Sequence, residues 1–92
     1  MTNDNVRQQF SELVGAFLLN DGRRTYQDFA DECALPEYGM TFTRQAVWKW
    51  VSGKQAPPLE NCRLWAMYGA TERAREFGRR GLAIYGLRLV EG

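Results

Sequence analysis

The residues best equipped for chemistry lie in one short stretch, "TRQAVWKWVSGKQ" at positions 43–55. Arg44 and Lys49 carry donors suited to the O6 and N7 of guanine, and Gln45 can make a two-point pair with adenine. No acidic side chain interrupts the stretch to repel phosphate. A helical projection at roughly 100° per residue puts Ala46, Val47, Trp50 and Val51 on one side, and Arg44, Gln45, Trp48, Lys49 and Ser52 on the other. Trp50 is then a core residue, while Trp48, about 200° round the helix from it, stands at the centre of the polar face. An exposed indole is uncommon without a partner. The favoured partner is a thymine methyl or the sugar-phosphate backbone. The main rival is packing beneath the loop "LPEYGMTF" (35–42), and stacking on an unpaired base is a third reading.

Such a face needs a rigid carrier, and helical patterns fill the rest of the chain. In residues 5–19, Val6, Phe10, Leu13, Val14, Phe17 and Leu18 recur at spacings of three and four. "NDG" at 20–22 ends that segment, with Gly22 as a left-handed cap. Thr25 with Asp28 forms an acidic variant of the capping box, opening a short helix that carries Phe29, Ala30, Cys33 and Ala34 until Pro36 stops it. "PEYGM" reads as a loop. Thr43 caps a third helix, which ends near Ser52 at Gly53. After the rigid "QAPP", helical spacing resumes through Leu59, Cys62, Leu64 or Trp65, Ala66 and Tyr68, up to Gly69.

Thr71 caps a fifth segment, in which Ala74, Phe77, Gly78, Gly81, Tyr85 and Leu89 line one stripe while Glu76 and Arg80 pair on the outside. Gly78, Gly81 and Gly86 each cost roughly 1 kcal/mol in a helix interior relative to alanine. Two explanations stay open. Either another helix approaches closely, or "LAIYGLRLV" (82–90) is a terminal strand with Ala83, Tyr85, Leu87 and Leu89 on one face.

The 92 residues suit one domain with one modest core, and 45% hydrophobic with 25% charged residues is a globular composition. Net charge is only +1, but it is unevenly spread. Residues 1–43 hold three basic and seven acidic groups; residues 44–92 hold nine basic and four acidic ones. Cys33 and Cys62 fall in apolar helical patterns, which predicts buried thiols rather than a disulfide. The absence of histidine argues against a metal site. "MTNDN" shows no signal-peptide pattern and no apolar run approaches a membrane span, so a cytoplasmic protein without membrane partners is expected.

A capped helix, a turn, and a second helix with one apolar and one hydrogen-bonding face meet the physical requirement for entering the DNA major groove. "TYQDFADECA" followed by "TRQAVWKWVSGKQAPPLENCRLWAMYG", roughly residues 25–70, resembles the Cro and lambda-repressor type helix-turn-helix family, and small prophage Cro-like regulators in particular. The matching positions are Ala30 in the first helix, Val47 and Trp50 in the recognition helix, Gly53 with Lys54, Pro57 or Pro58, and Leu59 onward. The sequence departs from the family in having Ala34 where a turn glycine is usual, and in about seven extra residues before Thr43.

The resemblance implies an all-α, five-helix bundle containing a helix-turn-helix with an extended turn. It also implies base reading by Arg44, Gln45 and Lys49, which Trp48 joins, and backbone contacts from Tyr26, Gln27, Thr43, Ser52 and Lys54.

The resulting expectation is a sequence-specific reader of double-stranded DNA. It would be a repressor of phage or prophage type, acting as a homodimer with no cofactor and no small-molecule substrate. The segment 71–90 is a candidate dimerisation helix, though its stripe serves equally to close a monomer core. The alternative is a protein-interaction module, an antirepressor or adaptor, using Asp28, Asp31 and Glu32; low net charge favours it. Catalysis is not expected, because there is no histidine, nucleophile elbow or phosphate loop.

Overall fold

Three threonines set where helices begin. The computed structural model describes residues 3–20 and 25–86, and among them lie five α-helices: α1 (Asn3–Asn20), α2 (Tyr26–Cys33), α3 (Arg44–Val51), α4 (Leu59–Tyr68) and α5 (Glu72–Ile84). Thr25 Oγ1 accepts from the Asp28 amide at 3.0 Å, and the Asp28 carboxylate accepts from the Thr25 amide at 3.2 Å, which completes the capping box. Thr43 and Thr71 cap α3 and α5 through the amides of Ala46 and Ala74. The chain is all-α. No helix among the described residues is long and apolar enough to cross a membrane.

One residue of α5 holds the core together. The Phe77 ring is fully buried and meets rings from all four other helices. Its centroid lies 6.4 Å from Phe10 and 5.5 Å from Phe17 on α1, 5.1 Å from Phe29 on α2, 6.4 Å from Trp50 on α3 and 5.2 Å from Trp65 on α4. Such aromatic contacts add to the area buried. Trp65, rather than Leu64, is the core residue of α4, and its indole N–H donates to the Cys33 carbonyl at 2.7 Å.

Close approach explains the buried glycines. A Cβ on Gly78 would stand 2.4 Å from the Ala66 nitrogen and 2.6 Å from the Cys62 oxygen, so α4 and α5 meet backbone to backbone. On Gly81 it would stand 2.6 Å from the Cys62 sulfur. The stripe from Ala74 to Gly81 is therefore buried within the chain and helps close its core. Tyr85 extends the closure by donating its hydroxyl proton to the Pro57 carbonyl at 2.6 Å. Leu82, Ala83 and Ile84 are helical, not strand, and α5 ends in a turn with Gly86 at φ +82°. Gly22 and positions 87–90 lie outside the described residues.

The extended turn between α2 and α3 is a closed structure. Leu35 and Met40 exchange backbone hydrogen bonds of 2.7 and 3.1 Å, and both side chains are buried. Between them runs a 3-10 turn, Pro36–Tyr38, followed by Gly39 at φ +72°. The inserted residues thus leave the core and return to it at one point. Phe42 then packs against Trp50 and Trp65 at 5.3 and 5.5 Å, delivering the chain to Thr43. Outside, Tyr38 stacks on Tyr68 with centroids 4.8 Å apart.

Candidate nucleic-acid interface

α3 is short because both ends are fixed by sequence. Thr43 caps its start, and Gly53 ends it at φ +75°, a left-handed conformation that a side chain would oppose. The Gly53 amide donates to the Trp50 carbonyl at 3.2 Å and the Lys54 amide to the Lys49 carbonyl at 3.0 Å, the two bonds of a Schellman motif. Ser11 of α1 clamps the same end by donating to the Val51 carbonyl.

The two faces of α3 are as the projection predicts. Val47 and Trp50 are buried and Ala46 and Val51 half-buried; Arg44, Gln45, Trp48 and Ser52 are exposed, and Lys49 is half-buried. Trp48 keeps 40% of its surface in solvent. The aromatic residues of the extended turn are engaged elsewhere, Tyr38 on Tyr68 and Phe42 on Trp50 and Trp65. What covers Trp48 is Lys54, whose Nζ lies 5.7 Å from the ring centroid. The Schellman turn brings it there, returning the chain along the exposed side.

Charge pairing separates this face from the rest of the molecule. Nine arginine and lysine side chains are described, and six of them, Arg7, Arg63, Arg73, Arg75, Arg79 and Arg80, are ion-paired. The remaining three, Arg44, Lys49 and Lys54, have no carboxylate partner among the described residues. All three belong to α3 or its terminal turn. α3 is also the one described helix with no acidic residue in its first turn; the others carry Asp4, Asp28, Glu60 and Glu72 there. Arg44 occupies the first helical position, where the helix dipole favours a negative charge.

Tyr26 and Gln27 stand exposed in the first turn of α2. No hydrogen bond or ring contact among the described residues joins them to the α3 set, and the Gln27 amide donates to Asp31 at 2.9 Å. The acidic residues of α2 are likewise engaged. Asp28 serves the cap, Asp31 accepts from Gln27, and Glu32 accepts from Thr71 at 2.8 Å and pairs with Arg73. The cysteines sit in the core, where burial raises the thiol of Cys33 far above its ordinary value and pushes Cys62 up to about 12.

Reasoning from the sequence missed one neighbour of this surface. Arg7 of α1 lines a cavity of about 230 Å³ with Lys54, Gln55, Val6, Ala56 and Tyr85. Its sequence signal was faint: Arg7 lies one turn before Ser11, the residue that touches the end of α3.

Compared with family models, curated proteins and solved structures, the chain matches none of them. Its functional reading comes from the geometry of α3 and its surroundings.

Proposed function

We propose that the protein is a sequence-specific double-stranded DNA-binding regulator that lays α3 in the major groove. One observation carries this reading: the unpaired cations among the described residues, Arg44, Lys49 and Lys54, gather on one exposed surface around Gln45 and Trp48. An unpaired cation retains its full attraction for phosphate and for the acceptors of guanine. The likeness of residues 25–70 to Cro-type helix-turn-helix regulators adds support and favours a repressor working without a cofactor. In this reading Arg44, Gln45, Trp48 and Lys49 face base edges, while Thr43, Ser52, Lys54 and the first turn of α2, with Tyr26 and Gln27, face the backbone.

An eight-residue helix is about 12 Å long and spans only a few base pairs. Useful specificity then calls for two copies, on half-sites about 34 Å apart. Burial of Ala74, Phe77, Gly78 and Gly81 in the core favours a meeting surface elsewhere than the glycine stripe of α5. The alternative of a protein-interaction module built on the acidic face of α2 has less support, because Asp28, Asp31 and Glu32 all have partners within the chain.

The test is binding of the purified protein to fragments flanking its own gene, against random DNA of equal length, at ~150 mM salt. Selective binding that disappears in Arg44→Glu is the expected result. Undetectable binding to any fragment overturns the reading in favour of a protein partner.

A further inference from the structure

The cavity beside the end of α3 extends the cationic surface onto a second helix. Arg7 and Ser11 are four residues apart and so lie on the same side of α1. Ser11 bonds the Val51 carbonyl, which places Arg7 against the chain just beyond α3. There it lines one cavity with Lys54 and Gln55, beside Val6, Ala56 and Tyr85. Two basic residues and one amide residue along a single open space suit a compact oxygen-rich anion within reach of their flexible side chains. Lys54 has no carboxylate partner among the described residues. Arg7 has one, Asp4, which is 81% exposed and three residues away on the same helix. An exposed pair of that kind contributes little stability and yields readily to a stronger acceptor.

We propose that Arg7, Lys54 and Gln55 hold one backbone phosphate of the bound duplex in this cavity. The inference rests on α3 being the DNA-reading helix, and it sets a clamp at the far end of that helix from Thr43. Its role is positional: a phosphate fixed there sets how far α3 slides along the groove, without reading a base. Asp4 competes with the phosphate for Arg7.

The experiment measures affinity of the full chain against salt concentration on two duplexes, one enriched by the wild-type protein from a random library and one of random sequence. Each phosphate contact contributes about 0.9 to the slope of log affinity against log salt. Arg7→Gln is expected to lower the slope on both duplexes, by no more than about that amount because Lys54 stays on the same phosphate, and to leave base preference unchanged. Arg7→Lys should retain the slope, and Asp4→Asn should tighten binding to both. Placing single uncharged methylphosphonates along the enriched duplex should reveal one position that weakens the wild type and weakens Arg7→Gln less, since Lys54 still holds that phosphate. Circular dichroism confirms that each variant keeps its helices. A wild-type protein that binds while Arg7→Gln keeps the full slope overturns the clamp alone. A wild-type protein that binds neither duplex overturns the DNA reading and the clamp with it.

Discussion

α3 and α5 are both rich in basic residues and put them to opposite uses. On α5, Arg75 and Arg79 pair with Glu72, Arg79 and Arg80 pair with Glu76, and Arg73 reaches Glu32 on α2. Every arginine of that helix is neutralised within the chain. On α3 and its terminal turn no cation has a carboxylate partner among the described residues, and the helix start lacks the acid that the others carry. Inside the core the helices differ as well. α5 supplies Phe77 to four neighbours and lets α4 touch its backbone, whereas α3 contributes two buried residues, Val47 and Trp50. A count of basic residues therefore does not show which of them keep an unpaired charge; partnership within the fold does. α5 is built for cohesion, and α3 is carried by it.

The largest effect that tests this division is expected at Phe77. Phe77→Ala removes a ring that meets all four other helices, and truncation of a buried phenylalanine costs about 3–5 kcal/mol. In a 92-residue chain each kcal/mol lowers the melting temperature by roughly 4–8 °C. Thermal unfolding followed by circular dichroism should show a fall well beyond 10 °C on that scale. A small fall would mean that α5 is not the centre of cohesion. Gly78→Ala comes next. Its methyl group meets the Ala66 nitrogen and Cys62 oxygen, main-chain atoms that cannot rotate away. About 1–3 kcal/mol, toward the upper end, is the expected loss. A neutral result would show that α4 and α5 can move apart without penalty.

How much of this was legible beforehand depended on range. The caps at Thr25, Thr43 and Thr71 and the stop at Gly53 were readable because each is settled within a few residues. The two faces of α3 followed from spacing alone. The glycines left a close approach as one of two explanations, the other a terminal strand, and could not name its partner, since Ala66 and Cys62 are known only once α4 folds back. Closure of the extended turn was invisible, because the Leu35–Met40 pairing depends on both side chains finding the core. The state of the arginines was equally hidden: Arg73 and Glu32 lie 41 positions apart. For the candidate interface, the α3 set was legible and Arg7 was not, for the same reason of distance along the chain.

A smaller effect, of opposite sign, is expected on α3. Arg44 opens a helix whose amino end favours negative charge, and that local mismatch is intelligible if the position serves a ligand rather than the fold. Arg44→Glu should therefore raise stability by about 0.3–1 kcal/mol at low salt. The same variant should lose selective DNA binding. A gain in melting temperature together with a loss of binding separates function from folding more cleanly than a damaging substitution does. A lower melting temperature would show that Arg44 has a structural role after all.

The smallest effect belongs to the ion pairs of α5. Hydrogen bonds from Arg79, joined by Arg75 at Glu72 and by Arg80 at Glu76, hold both carboxyls below the ordinary value of 4.5. The unfolded chain takes up these protons at a higher pH than the folded one does. Their contribution is therefore present in full above about pH 4.5 and fades as pH falls through the lowered values. Both groups are largely in water, so the change is modest. Melting temperatures measured from pH 6 down to pH 3, roughly the span over which carboxylates titrate, should fall more steeply for the wild type than for Glu76→Gln. Equal steepness in the wild type and Glu76→Gln would mean that the α5 pairs contribute nothing to cohesion, and that α3 and α5 differ in exposure to a ligand but not in how their charges support the fold.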